Sequence, residues 1–214
     1  MKAIVTDIEG TTTPITFVKD VLFPYAAAHL PAWIAAHPDE PAVAALEAHR
    51  AEGDRDVVAT ALRLIAEDKK VTPLKTLQGF VWEAGYAAGE LIAPVYDDVA
   101  PALRAWHSAG VRLAVYSSGS VHAQRLLFGH TTAGDLSTLF EAWFDTTTGA
   151  KGDAASYARI AEALALPPGD IAFLSDAPAE LAAARDAGLQ AIGVARDGAI
   201  DTPAPVVTTF AAVQ

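Results

Sequence analysis

A short apolar run, Ala3-Ile4-Val5, reaches Thr6 and is followed at once by two carboxylates, Asp7 and Glu9, one residue apart. Gly10 and three threonines come next. β-Branched residues ending in turn-formers predict a buried strand that stops at the acids. In an open parallel sheet, ligands sit outside the carboxyl ends of the strands. Asp7 and Glu9 are therefore expected where chemistry would be.

From Pro14 to about Ile92 no convincing strand is read. Phe17, Val21, Tyr25, His29 and Trp33 recur every four residues, so a helix is expected over 17–36, with His29 packed in the core and a kink at Pro24 or Pro31. Val43 to Ala51 reads as a short helix. The next carries Val58, Leu62 and Ile65 on one face and is capped by Asp54 or Asp56. Thr72-Pro73 reads as N-cap and first position of a fourth helix, with Leu74, Leu77, Val81 and Trp82 inward.

After Pro94 strands and helices alternate. Strands are expected at 112–117, 142–145, 171–175 and 190–194, with a sixth at 206–209. Helices are expected at 99–109, 121–128, 153–164 and 177–187. Alternation of this kind predicts parallel strands joined by helical crossovers, hence an α/β, doubly wound, Rossmann-like sheet. The expected division is a core of residues 1–13 and 94–214, with an all-helical insertion, residues 14–93, after the first strand.

Four strand ends carry polar groups. Beside Asp7 and Glu9 these are Ser117, Ser118 and Gly119; Lys151 in the loop after the third strand; and Asp176, with Glu180 a helical turn on. One sheet would bring all of them to one edge. The set suits phosphoryl transfer. Asp7 attacks phosphorus and forms an aspartyl-phosphate. Asp7 and Asp176 repel one another unless a cation joins them, and Mg2+ prefers such oxygen ligands. Ser117 and the amides near Gly119 hold phosphate oxygens, and Lys151 neutralises the transferring group. Glu9 is placed to protonate the leaving oxygen and later to activate water.

Charge narrows the partners. The chain has 26 acidic against 15 basic residues, a net charge of −11, which argues against a nucleic-acid or anionic-membrane surface. It has no cysteine, which excludes disulfides, thiolate metal sites and cysteine nucleophiles. With no signal segment read at Met1-Lys2 and no membrane-length apolar run, a cytoplasmic protein is expected.

The order Asp-x-Glu, Ser, Lys, Asp resembles the haloacid dehalogenase (HAD) superfamily of phosphohydrolases, and the helical block resembles its cap. Asp7 to Val18 (DIEGTTTPITFV), Tyr116 to Thr131 (YSSGSVHAQRLLFGHT) and Phe173 to Glu180 (FLSDAPAE) resemble, within it, the enolase-phosphatases of methionine salvage. Glu9, where most of the superfamily has Asp, followed by GTTTPI, is the specific mark. The resemblance implies a monomer with one Mg2+ at Asp7, Glu9 and Asp176, and substrate contacts at Ser117, Ser118, Gly119 and Lys151. It implies a small phosphorylated diketone as substrate, 2,3-diketo-5-methylthiopentyl-1-phosphate, enolised and then dephosphorylated to an acireductone. Glu9 is the leading candidate for the base of the enolisation. Glu180 is expected to act through water or to support Lys151. The alternatives are a capped phosphatase of another small phosphate monoester, a signalling receiver, and a non-catalytic binding module. A receiver would carry its Asp after a later strand and lack the helical block.

Overall fold

The structure, a computed structural model, describes residues 1–213. The chain divides into two compact units, one of residues 1–15 with 93–214 and one of residues 16–92.

Strand β1 (Ala3–Thr6) is buried along its whole length. The chain then turns through the single helical turn α1 (Ile15–Phe17) and a π-helical turn, Val18–Leu22, into α2 (Phe23–Ala36). The π turn has a local cause. Pro24 has no N–H to give the carbonyl four residues back, and the Phe23 N–H instead reaches the Val18 carbonyl, five residues back. A π turn inserts one extra residue. The inward face therefore runs Leu22, Ala26, Leu30 and Ile34 rather than through Val21, Tyr25, His29 and Trp33. His29, expected in the core, is accordingly exposed; its Nδ1 lies 2.8 Å from the Tyr25 carbonyl and its ring stacks on Tyr25 at 3.9 Å. The break falls at the entry to α2, and Pro31 is accommodated within the helix.

The rest of the helical unit is α3 (Pro41–Leu46), α4 (Val57–Ala66) and α5 (Thr72–Ala87). Helix α3 starts and ends earlier than expected, running into a 3-10 turn at Glu47–His49. Asp56 is the cap of α4, accepting the Ala59 amide at 2.8 Å, whereas Asp54 is taken by Arg63 at 3.0 Å. The N-cap of α5 is Val71, not Thr72; Pro73 then stands in the first turn, where a missing N–H leaves no helical bond unmade.

The α/β unit continues with α6 (Val99–Ser108), β2 (Arg112–Tyr116), α7 (Val121–Gly129), β3 (Ala142–Phe144), α8 (Ala154–Ala163), β4 (Ile171–Ser175), α9 (Pro178–Asp186), β5 (Gln190–Val194) and β6 (Val206–Val207). Every pairing is parallel, in the order β3-β2-β1-β4-β5-β6. β6 is shorter than expected because Thr209 turns to cap a 3-10 turn at Phe210–Ala212. Ala3 and Val5 face a core built with Tyr116, Tyr157, Ile160, Phe173 and Leu181, which joins α8 and α9 to one side of the sheet. Ile4, Leu113 and Val115 alternate to the other side and are equally buried.

The order places β1 centrally, with β2 on one side and β4 on the other. The chain's winding reverses between β1 and β4, which makes their carboxyl ends the switch point of the sheet. Asp7 follows β1 and Asp176 follows β4, so the two carboxylates flank that crevice.

Candidate active site

The ladder between β1 and β4 runs one residue past the strand, the Asp7 N–H donating to the Leu174 carbonyl at 2.9 Å. Beyond Asp7 the chain closes a tight turn. The amides of Thr11, Thr12 and Thr13 all donate to the Ile8 carbonyl, at 3.2, 2.9 and 3.0 Å, and the Gly10 amide donates to the Thr13 carbonyl at 2.8 Å. The Thr12 hydroxyl adds a bond to the Ile8 carbonyl at 3.2 Å. Glycine is required at position 10 twice over. Its φ is +74°, and a Cβ there would lie 2.2 Å from Asp176 Oδ2. The Asp176 carboxylate thus rests against the backbone of the turn, and its own amide donates to the Thr11 hydroxyl at 3.1 Å.

Lys151 comes to the same place. Its ammonium lies 2.6 Å from Asp7 Oδ1 and 2.7 Å from Glu180 Oε2, with both partners and the lysine largely buried. The loop that delivers it is held at three successive carbonyls. Tyr116 donates its hydroxyl to Gly149 at 3.0 Å, Ser156 to Ala150 at 2.8 Å and Tyr157 to Lys151 at 2.7 Å. Glu180 also accepts from the Ser175 hydroxyl at 2.9 Å. Of the two roles expected for Glu180, direct support of Lys151 is the one the geometry displays.

Burial alone would lower the Lys151 ammonium, but Asp7 and Glu180 together outweigh it and push it up. Burial, and after it the charge of Asp7, pushes the Glu180 carboxyl up to about 7 despite Lys151. The same two causes, in the same order, hold the Asp176 carboxyl above the usual carboxylate range. An acid raised by its neighbour's charge marks a site with more negative charge than one lysine offsets.

On the other side of β1, Ser117 is buried at the end of β2, its amide donating to the Phe144 carbonyl at 3.2 Å. Its hydroxyl accepts the Gly119 amide at 3.1 Å, and Ser120 caps α7 through the Ala123 amide at 3.3 Å. Gln124 ties the loop down, donating to the carbonyls of Gly119 and Phe144, each at 2.8 Å. A loop of this form at a helix N-terminus is a ready seat for phosphate. Ser118 is half-buried beside it.

Glu9 is half-buried in the turn and bridged to Thr13. Among the described residues, no three carboxylate or imidazole side chains gather into a metal cage. The donor set nevertheless fits a hard divalent ion. Asp7 and Asp176 are oxygen donors at neighbouring strand ends, the Asp176 carboxyl raised first by burial and then by the charge of Asp7, and Mg2+ is commonly held by one or two carboxylates, water and substrate phosphate.

Sequence reasoning overlooked Thr11, Tyr157 and Arg196. Thr11 was legible only as part of a turn, and Tyr157 only as a core aromatic. Arg196 carried a usable signal, a polar residue just past the end of the fifth strand.

Comparison with known proteins agrees. Residues 1–188 match the model of the haloacid dehalogenase-like hydrolases. The chain is 54% identical over 218 residues to enolase-phosphatase E1 of Pseudomonas aeruginosa (strain UCBPP-PA14), spanning 99% of this chain and 97% of that protein. It is 53% identical over 221 residues to enolase-phosphatase E1 of Azotobacter vinelandii, spanning 100% and 97%. Among solved structures, UTR4 protein of Saccharomyces cerevisiae superposes with a TM-score of 0.83 at 35% identity over 99% of both chains. CbbY from Rhodobacter sphaeroides shares the fold, with a TM-score of 0.65 at 20% identity over 99% of this chain and 96% of that one. The family's chemistry calls for a divalent metal and a small phosphorylated substrate. The carboxylates, lysine and hydroxyls gathered at one sheet edge and near-full-length likeness lead to one assignment: the chain belongs to the enolase-phosphatases of the haloacid dehalogenase-like hydrolases.

Proposed function

We propose that this enzyme converts 2,3-diketo-5-methylthiopentyl-1-phosphate to the acireductone 1,2-dihydroxy-3-keto-5-methylthiopentene, by enolisation and then dephosphorylation, as a step of methionine salvage. The observation that carries the phosphatase half is the Lys151 ammonium 2.6 Å from Asp7 at the switch point of the sheet. The specific substrate rests on the relatives.

The phosphate sits against Ser117, Ser118 and the Gly119 amide at the start of α7. Lys151 orients Asp7 through Oδ1 and offsets charge on the transferring group. An Asp7 oxygen attacks phosphorus, the bond to the substrate oxygen breaks, and Glu9 donates the proton that oxygen needs. Glu9, now a carboxylate, takes a proton from water; the hydroxide attacks phosphorus of the aspartyl-phosphate, and Asp7 leaves as a carboxylate. In the enolisation a base, for which we nominate Glu9, removes the proton α to the carbonyl and returns it to the enolate oxygen, giving the enol. A divalent cation such as Mg2+ would be held by Asp7 and Asp176, with Glu9 as the third candidate, and would supply Lewis acidity to phosphoryl and enolate oxygens.

The test is to give purified protein and Mg2+ the diketo phosphate and follow ultraviolet absorbance and phosphate together. An enol intermediate followed by phosphate release is expected, with Asp7→Asn folded and devoid of phosphate release. Release of phosphate from generic esters without enol from the diketone would assign the site to another phosphate monoester.

A further inference from the structure

Arg196, just past β5, is a buried cation with an unusual set of partners. Its side chain is only 6% exposed. Nη1 donates to both oxygens of Asp98, at 2.8 and 2.9 Å, and the guanidinium lies between the rings of Tyr96, 4.3 Å away, and Phe210, 5.0 Å away. The same Asp98 accepts the Thr209 hydroxyl at 2.9 Å and the Phe210 amide at 2.5 Å. A surface clamp would need no more than this. Yet Nε is aimed elsewhere: it donates to the Thr11 carbonyl at 3.0 Å.

Thr11 belongs to the turn that follows Asp7, and its hydroxyl receives the Asp176 amide. The next carbonyl, that of Thr12, accepts the Tyr96 amide at 3.1 Å. Two successive carbonyls of the turn are therefore held from outside, one by Arg196 and one by the backbone of the residue that Arg196 stacks on. A planar guanidinium can grip Asp98 with one edge and Thr11 with another; an ammonium on a flexible stem cannot fix both directions. We infer that Arg196 is a positioning residue for the metal site: it fixes the turn on which the Asp176 carboxylate rests, and so sets the spacing of Asp7 and Asp176 for a divalent cation. The inference rests on the proposed reading of Asp7 and Asp176 as metal ligands.

Mn2+ serves as the probe, titrated into the full chain and counted as free ion by electron paramagnetic resonance. Supporting residues of this kind typically change metal affinity by about 10–100-fold. Arg196→Lys, which keeps a positive charge for Asp98, is expected to raise the Mn2+ Kd about tenfold or more. At saturating metal, kcat should largely return. Thr209→Val removes a hydroxyl from Asp98 but leaves the grip on Thr11; it should lower the melting temperature and leave the Kd within about twofold, well short of a positioning effect. Asp176→Asn should abolish tight binding. If Asp176→Asn weakens binding and Arg196→Lys does not, the inference is overturned and the metal reading stands. If Asp176→Asn binds as the wild type does, the metal reading fails and takes the inference with it. Should Arg196→Lys not fold, Thr11→Val, which removes the hydroxyl that receives the Asp176 amide, must raise the Kd by the same order; unchanged affinity there overturns the inference.

Discussion

Gly10 shows how much of this site depends on single residues. A Cβ at this position would meet the Asp176 carboxylate, and the backbone is left-handed as well. Gly10→Ala should therefore cost about 1–3 kcal/mol of stability, from strain at a special backbone position. It should also remove phosphate release, because Asp176 must move away. Urea unfolding and a phosphate assay read the two effects; a variant equal to the wild type in both would mean that Asp176 is not held against the turn. At this scale the sequence was most readable where chemistry demands a residue type. Asp7, Lys151 and Asp176 were recognisable because few other roles explain an acid or a lysine at successive strand ends. Thr11 and Tyr157 were not, because they act through one hydroxyl each, and any threonine or core tyrosine looks the same until its partner carbonyl or amide is placed.

Among elements, the π turn at Val18–Leu22 explains the largest misreading. A four-residue apolar spacing counted from Phe17 is sound until an extra residue enters the turn; beyond it every inward position moves by one. Helix periodicity cannot reveal this, since Val21 and Leu22 are both apolar and either could lead the stripe. The turn has a specific support: the indole N–H of Trp82 in α5 donates to the Leu22 carbonyl at 2.9 Å, and Trp82 is buried. Trp82→Phe keeps most of the apolar volume and removes that one hydrogen bond. A loss of about 0.5–1.5 kcal/mol is expected, the usual net contribution of a buried hydrogen bond. Thermal unfolding of the purified variant checks it; an unchanged melting temperature would mean that the bond contributes nothing net. Strand positions were read more accurately than helix faces, because β1, β2, β4 and β5 are short apolar runs bounded by turn residues with no register to accumulate error.

For the molecule as a whole, alternation of strands and helices was enough to foresee a parallel sheet, while the contacts that tie its distant segments together were not legible. Asp98 is the clearest of these. Burial alone would raise its carboxyl, but the Phe210 amide, Arg196 and Thr209 together hold it below the usual range. A carboxyl lowered by folding contributes stability above its unfolded pKa, and that contribution is lost as pH falls through the folded value. Asp98→Asn should thus be about 2 kcal/mol less stable than the wild type at pH 7, in the range for hydrogen bonds to charged groups. The gap should narrow as pH drops below the ordinary carboxylate range. Urea unfolding at several pH values measures it, and a gap that widened toward acid would refute the sign. The same contacts have a meaning for biosynthesis. Asp7 leaves the ribosome long before Arg196, and at typical elongation rates the interval is roughly ten to forty seconds. Lys151 follows only after most of that interval, Asp176 later still, and the guanidinium that grips Thr11 last. A nascent chain therefore carries the nucleophile well before the lysine, the second carboxylate and the guanidinium that frame it exist.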